Sequence, residues 1–179
     1  MGFDHITAGE HVPDEINAVI EIPSRGSPVK YEVDKASGLV SVDRFLATPM
    51  FYPCEYGFIP QTLSEDGDPL DVLVISPYPL FPRSIIRCRP VGMLRMSDES
   101  GKDMKIIAVP TLKLTPIYQH VKTLSDLEKG LLAAIQHFFQ HYKELEAGKW
   151  SKVDGFEEAA VAKQEILASI KRYQQKGSV

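Results

Sequence analysis

Four carboxylates fall within the seven residues from Glu65 to Asp71, directly before the apolar run 72–75. Carboxylates this close raise one another's pKa unless cations or solvent relieve the repulsion. Oxygen ligands alone favour Mg²⁺, Mn²⁺ or Ca²⁺ over zinc. The cluster therefore indicates a hard-metal site, and the alternative is a solvated Asp-Gly turn before a strand. The spacing excludes an EF-hand loop, because the Gly at the sixth place and the Glu at the twelfth are missing.

A second acidic group, Asp98 and Glu99, lies in the loop 97–102, and Asp103 and Lys105 follow it directly. By itself, such a loop is typical of a polar hairpin tip. Two acidic clusters that flank strands of one small sheet can reach the same cations. Together they favour one shared metal site.

Charged side chains also occur within the early strand candidates. Lys30 and Glu32 alternate onto one face of a strand, with Glu21 before them and Arg44 after them. Lysine offers a compact charge and arginine a planar fork, and both suit phosphoryl oxygens. We interpret these residues as phosphate-binding groups beside the metals. The alternative is the solvent face of half-exposed strands.

Two phenols, Tyr52 and Tyr56, adjoin Pro and Gly turns, and a third, Tyr142, precedes Lys143 near the end of a predicted helix. These three phenols and the Lys143 ammonium could all reach the same end of the sheet. The alternatives are aromatic core for the first two and a surface helix end for the others.

The pair His137 and His141 has the four-residue spacing of a zinc site but lacks the Glu of the H-E-x-x-H motif. We therefore interpret this pair as facing solvent or a neighbouring subunit, where two imidazoles could couple assembly to pH. No G-x-S-x-G motif supplies a nucleophilic serine, so a metal-activated water is the better candidate nucleophile.

Strand patterns dominate the first two thirds of the chain and helical patterns the last third. A capping box from Ser125 to Glu128 predicts a helix over 127–145, and another from Asp154 to Glu157 predicts a helix over 156–175. Strands that precede helices favour an α+β domain with a mostly antiparallel sheet over a Rossmann fold. The predicted strands are 17–22, 29–34, 38–44, 71–76, 85–94 and 103–109.

The length of 179 residues predicts a single domain spanning 1–179. A net charge of −4 argues against a protein that binds nucleic acid mainly through positive charge. No apolar run is long enough to span a bilayer. Cys54 and Cys88 stand apart from any C-x-x-C pair, which is typical of a reducing compartment. The first residues lack the regions of a signal peptide, so a cytoplasmic location is expected.

Taken together, these motifs resemble the soluble inorganic pyrophosphatases of the bacterial, single-domain, magnesium-dependent type. The acidic run Glu65–Asp71 is the most specific of them. The stretches that carry the resemblance are Ile20–Pro23, Lys30–Glu32, Asp43–Arg44, Tyr52–Gly57, Glu65–Asp71, Asp98–Glu99, Asp103–Lys105 and His141–Lys143.

The resemblance implies a five-stranded, OB-type closed barrel flanked by C-terminal helices, assembled as a homohexamer of two stacked trimers. It also implies Mg²⁺-dependent hydrolysis of pyrophosphate to two orthophosphates by in-line attack of a metal-activated water. Several Mg²⁺ ions would bind each active site, with Mn²⁺ or Zn²⁺ as substitutes. No nucleic-acid or membrane partner is expected.

Residue roles also follow from the resemblance. Asp68 would accept the proton of the attacking water, and Lys30, Arg44 and Tyr56 would act with it in catalysis. The implied metal ligands are Asp66, Asp71, Asp98 and Asp103. The implied substrate contacts are Lys30, Arg44, Tyr56, Lys105, Tyr142 and Lys143. The implied outer shell is Glu21, Glu32 and Glu99, with Tyr52 close by.

The residues alone leave three other functions open. They are a metal-dependent hydrolase of nucleotides or other phosphoanhydrides, an OB module that binds oligonucleotides, and a calcium-stabilised structural domain. The concentration of acids at the motifs argues against oligonucleotide binding. A purely structural calcium site would leave Lys30, Arg44 and the tyrosines without a role.

Overall fold

The computed structural model describes residue 3 and residues 5–176, so residues 1, 2, 4 and 177–179 of the predicted domain lie outside the described residues. Eight strands and two α-helices form the fold. The strands are β1 Ile16–Ile22, β2 Val29–Val33, β3 Val40–Phe45, β4 Glu55–Phe58, β5 Asp71–Val74, β6 Ile85–Asp98, β7 Gly101–Pro110 and β8 Ser151–Glu158. The helices are α1 Lys129–His141 and α2 Ala159–Lys176.

Backbone pairing joins five strands into a ring. The sheet order is β1-β4-β5-β7-β6-β8, and β1 also pairs with β6, which closes the ring. β8 adds to the outer side of β6, while β2 and β3 form a separate hairpin. Among the described pairings only β5 with β7 is parallel. The predicted α+β class with a mostly antiparallel sheet is therefore confirmed.

The central strands are buried on both faces. In β5, Leu73 packs in one apolar cluster with Phe138 and Phe139 of α1, whereas Val72 packs in another with Ile166 of α2. A strand covered on both faces has a continuous apolar sequence instead of an alternating one. The two helices thus cover the sheet and hold β5 and β7 rigidly beneath the acidic loop.

The structure confirms all six predicted strands within a few residues but adds β4 and β8, which were not predicted. The predicted capping box at 125–128 is wrong. The Asp126 carboxylate instead accepts a hydrogen bond from the Thr123 N–H at 2.9 Å, closing a 3₁₀ turn, and α1 begins at Lys129. None of the described helices is long and apolar enough to cross a bilayer.

The second predicted capping box is also wrong, because Asp154 and Glu157 lie inside β8. Pairing with β6 joins Ser151 to Asp98 at one end of this strand and Glu158 to Gly92 at the other. The ladder of cross-strand hydrogen bonds therefore overrides the local helix-start signal. α2 begins only at Ala159, directly after the strand.

Candidate active site

One cavity of about 390 Å³ gathers charged residues from the hairpin β2–β3, the acidic loop before β5, the turn between β6 and β7, and the end of α1. All but one of the predicted site residues line it. Tyr52 is the exception; it is buried behind the cavity, with its ring centroid 5.3 Å from that of Tyr56. The predicted residues that line the cavity are Glu21, Lys30, Glu32, Arg44, Tyr56, Asp66, Asp68, Asp71, Asp98, Glu99, Asp103, Lys105, Tyr142 and Lys143.

The parallel pairing of β5 with β7 positions the floor of the cavity, because it sets Asp71 opposite Lys105. The Lys105 Nζ donates to Asp71 Oδ2 at 2.7 Å and to Asp103 Oδ1 at 2.8 Å. Burial alone would lower the pKa of Lys105, but the two carboxylates outweigh it and raise that pKa well above its ordinary value. Lys105 is therefore a permanently charged ammonium among the candidate metal ligands.

Tyr56 forms the aromatic wall beside this ammonium. Its hydroxyl donates to Asp71 Oδ2 at 2.6 Å. Burial raises the pKa of Tyr56 well above 10.0, with Asp71 and Asp103 adding to the effect. The phenol consequently stays protonated at neutral pH and acts as a hydrogen-bond donor.

A second ammonium links the end of α1 to the turn between β6 and β7. Lys143 Nζ lies 2.6 Å from Asp98 Oδ2 and 3.3 Å from Glu99 Oε1. Burial opposes ionisation of Asp98, but its hydrogen bonds with Lys143 and the Ser100 N–H outweigh burial and lower the pKa of Asp98. These contacts connect the acidic end of β6 to the segment that follows α1.

The hairpin β2–β3 supplies the third group of charges. Lys30 Nζ lies 2.6 Å from Glu32 Oε1 and 3.1 Å from Asp43 Oδ2. Arg44 Nε approaches Glu146 Oε1 to 3.2 Å, yet both atoms are buried and no hydrogen bond forms between them. The rest of the Arg44 side chain is partly exposed and lines the cavity, where a guanidinium is well suited to bind an anionic oxygen.

Glu21 is the deepest carboxyl of the cavity. Its Oε1 accepts a hydrogen bond from the Val33 N–H at 2.9 Å. Burial raises the pKa of Glu21 from 4.5 to about 7; the Val33 bond lowers it in part, and the charge of Asp71 adds to the rise. This carboxyl therefore titrates close to neutral pH.

The acidic loop before β5 places the carboxylates of Asp66 and Asp68 at the mouth of the cavity. The Asp68 N–H donates to Asp66 Oδ1 at 3.0 Å, and the Asp68 carbonyl accepts from the Ser64 N–H at 2.7 Å. Gly67 between them has φ of 95°, a left-handed conformation that favours glycine. Burial raises the pKa of Asp66, and the neighbouring Asp68 adds to that rise. The loop is thus a fixed turn that directs both side chains toward the cavity.

The family model described as inorganic pyrophosphatase matches residues 18–174 of the chain. The chain belongs to this family. A relative from Vibrio cholerae named inorganic pyrophosphatase is 58% identical over 98% of this chain and 100% of its own length. One from Yersinia pestis is 59% identical over 96% of this chain and 98% of its own length.

Solved structures agree with this family assignment. The structure of an inorganic pyrophosphatase from Coxiella burnetii superimposes with a TM-score of 0.91 at 49% identity, covering 94% of this chain and 99% of the other. The family resemblance predicted from the motifs is therefore confirmed. The roles of individual residues stay predictions.

The chemistry of the lining residues fits the hard cations expected in an inorganic pyrophosphatase. Among the described residues, eight carboxylates line the cavity, whereas no thiol or imidazole does. Oxygen-only ligands of this kind favour Mg²⁺ or Mn²⁺. Within the described part of the chain, no three acidic, His or Cys side chains form a ready ligand cluster. The ammonium groups of Lys105 and Lys143 lie between the carboxylates, so cation binding must rearrange these ion pairs.

Sequence reasoning missed three charged residues of this pyrophosphatase site. Lys35 and Lys149 line the cavity, and Glu146 lies against Arg44. No local pattern distinguishes them from ordinary solvent-facing charges. The hairpin turn and the segment after α1 bring them to the site, and this is a property of the tertiary fold.

Proposed function

We propose that this chain is an inorganic diphosphatase that hydrolyses pyrophosphate to two orthophosphates with Mg²⁺ as its cofactor. The observation that carries the proposal is the single cavity in which eight carboxylates alternate with six lysine and arginine side chains. Family membership supports the substrate, since the matched family is described as inorganic pyrophosphatase. Carboxylates that can hold metal ions, together with cations that can bind phosphoryl oxygens, suit a phosphoanhydride substrate.

The candidate ligands of several Mg²⁺ ions are Asp66, Asp71, Asp98 and Asp103, with Glu21, Glu32 and Glu99 as outer-shell carboxylates. When bound, such ions lower the pKa of a coordinated water and neutralise charge on the phosphoryl groups. Mn²⁺ or Zn²⁺ would serve as substitutes. Asp71 is central because its Oδ2 already accepts hydrogen bonds from Tyr56 and Lys105, which fix its orientation.

The basic side chains and phenols are proposed to bind the two phosphoryl groups. Lys30 and Arg44 approach from the hairpin side, and Lys143 approaches from the end of α1. Burial raises the pKa values of Tyr56 and Tyr142, so both phenols donate hydrogen bonds without ionising. Lys105 completes the substrate contacts on the floor. Such fixed donors stabilise charge that develops on the leaving phosphate in an in-line displacement.

Asp68 is the proposed general base. Asp71, Asp98 and Asp103 are each held by a lysine ammonium within 3 Å. In the described structure, by contrast, no ion pair or side-chain hydrogen bond holds the Asp68 carboxylate. An unpaired carboxylate at the cavity mouth is free to accept the proton of the attacking water.

The first test is phosphate release from pyrophosphate by the purified protein with Mg²⁺, with excess chelator, and with ATP in place of pyrophosphate. We expect rapid release only from pyrophosphate with Mg²⁺. Turnover in excess chelator would contradict the metal mechanism. Comparable release from ATP would instead identify a broader phosphoanhydride hydrolase.

The second test is the variant Asp68→Asn, which retains the shape of the side chain but removes the base. We expect turnover to fall by about a hundredfold or more, while Mg²⁺ binding measured by calorimetry is largely retained. Glu65→Gln is the matched control, because Glu65 lies in the same loop outside the cavity lining. Unchanged turnover in Asp68→Asn would mean that another group is the base.

We also propose that the ring of five strands is an OB-type closed barrel and that the chain assembles as a homohexamer of two trimers. Large apolar side chains left on the surface support self-association: Tyr78 is 75% exposed and Phe81 is 85% exposed. Sedimentation velocity would measure the assembly, and a monomer at micromolar concentration would contradict it. A cytoplasmic location is consistent with the buried, unpaired thiols of Cys54 and Cys88.

A further inference from the structure

One basic side chain of the cavity differs from the others in its charge environment. Six lysines and arginines line the cavity, and within the described structure five of them have a carboxylate oxygen within 4.0 Å. Lys35 has none. Its Nζ instead lies over the ring of Phe58, 5.7 Å from the ring centroid. Glu21 and Asp34 feel the charge of Lys35 at longer range, but among the described residues no carboxylate forms a contact ion pair with it.

The backbone holds Lys35 at the mouth of the cavity. It lies in the turn between β2 and β3, where its carbonyl accepts a hydrogen bond from the Phe3 N–H at 3.0 Å. The ring of Phe3 packs edge-on against Phe58, with centroids 6.4 Å apart. The Lys35 backbone and the ring beneath its ammonium are therefore anchored to the same small apolar cluster.

The adjacent acid, Asp34, makes its hydrogen bonds within the hairpin and forms no contact ion pair with Lys35. The Asp34 carboxylate accepts a hydrogen bond from the Ser37 N–H at 2.6 Å, and the Asp34 N–H donates to the Leu39 carbonyl at 2.9 Å. These bonds close the turn and engage Asp34 with its own hairpin. Among the described residues, the turn thus presents the ammonium of Lys35 without a carboxylate in direct contact.

The carboxylates that line this cavity repel an anionic substrate that approaches it. Eight carboxylates line it against six cationic groups, and five of those groups are paired with carboxylates. Paired charges project little field beyond their own separation, whereas an isolated charge attracts an anion over about a Debye length. Lys35 is exposed and, among the described lining cations, lacks a contact ion pair, so its charge is the one most available to an approaching polyanion.

We infer that Lys35 guides the pyrophosphate anion into the cavity and acts on capture of the substrate, without a part in the chemical step. The inference rests on the proposed function, because that function supplies the polyanionic substrate. It predicts an effect on kcat/KM that depends on charge and ionic strength and leaves kcat unaltered.

The size of the effect follows from Coulomb's law. One charge attracting a doubly charged magnesium pyrophosphate complex across about 10 Å of water changes kcat/KM by about fourfold. At low ionic strength we therefore expect Lys35→Ala to lower kcat/KM about fourfold and Lys35→Glu to lower it about sixteenfold. Lys35→Arg should keep kcat/KM at the wild-type value, because it preserves the positive charge. In 0.5 M salt, about three times the physiological ionic strength, the differences should largely disappear.

A binding measurement complements the kinetics. Methylenediphosphonate, which cannot be hydrolysed, would be titrated into each variant by calorimetry in the presence of Mg²⁺. Its affinity should follow the same order as kcat/KM across the series at low ionic strength. Lys171→Ala is the matched control, because Lys171 is an exposed lysine on α2 outside the cavity lining.

The kinetic and binding results either support or overturn the role inferred for Lys35. Equal kcat/KM and equal analogue affinity across the Lys35 series would overturn the inference, and so would a loss confined to kcat. A loss of kcat/KM that persists in high salt would also overturn it, because guidance by charge must be screened. If the wild type released no phosphate, the proposed function would fail, while the analogue titration would still test Lys35.

Discussion

The buried carboxyl of Glu21 should make the metal-free protein less stable as pH rises. In the folded chain its pKa is raised from 4.5 to about 7, first by burial and further by the charge of Asp71. Replacing it in Glu21→Gln removes the titration but keeps an Oε1 atom that can accept the Val33 N–H. The variant therefore isolates the effect of the charge.

The sign and size of the effect follow from the two pKa values. Below pH 4.5 the group is protonated in both the folded and the unfolded chain, so it contributes no pH dependence. Between pH 4.5 and 7 the folded state retains a proton that the unfolded state has released, and stability falls as pH rises. Above pH 7 the loss is complete at about 3 kcal/mol, given 1.36 kcal/mol per pKa unit.

The assay is urea unfolding in excess chelator at pH 5 and at pH 8, followed by the fluorescence of Trp150, the single tryptophan. Glu21→Gln should match the wild type at pH 5 within about 1 kcal/mol and exceed it at pH 8 by about 2–3 kcal/mol. The comparison between the two proteins cancels all other titrating groups. An equal pH dependence in both would refute the assignment of a raised pKa to Glu21.

Two further predictions concern other parts of the structure. Lys105→Met removes the buried ammonium that pairs with the partly buried carboxylates of Asp71 and Asp103, and should lower the free energy of unfolding by about 1–3 kcal/mol in chelator. Lys171→Met is the control, and equal urea midpoints would contradict the prediction. The rings of His137 and His141 lie side by side on α1, with centroids 4.6 Å apart. If this helix face contacts another subunit, His137→Ala should shift the sedimentation profile toward smaller species, and identical profiles for both proteins would disprove the contact.

The strands that sequence predicted well are those whose apolar residues are buried. β5 and β7 carry apolar runs, and their patterns alone determined type and position. β8 was missed because a capping signal at Asp154 and Glu157 competes with its weak alternation of polar and apolar residues. β4 was missed because it has only four residues, with Gly57 among them and Pro53 shortly before, and this is too short a pattern to recognise. In both cases pairing with distant strands, which no local window contains, decided the conformation.

The sequence predicted most of the residues that line the cavity, but not Lys35 or Lys149, and not the contacts between side chains. The acidic runs marked the carboxylates, since their charge density is unusual at the level of sequence. The ion pairs were not predictable, because Lys143 meets Asp98, and Arg44 meets Glu146, only after distant segments have folded together. The lack of a contact ion pair at Lys35 was not predictable for the same reason, because it depends on which side chains the fold places near Lys35.

The ring of strands also has a consequence for synthesis of the chain on the ribosome. The ring closes only when β7 pairs with both β5 and β6, and Lys143 of the site lies further along the chain still. With elongation at about 5–20 residues per second, the early strands spend seconds with unpaired edges before their partners emerge. Such edges are prone to aggregate, so nascent chains should need protection during this interval. Cleavage of pyrophosphate cannot begin until most of the polypeptide has left the exit tunnel.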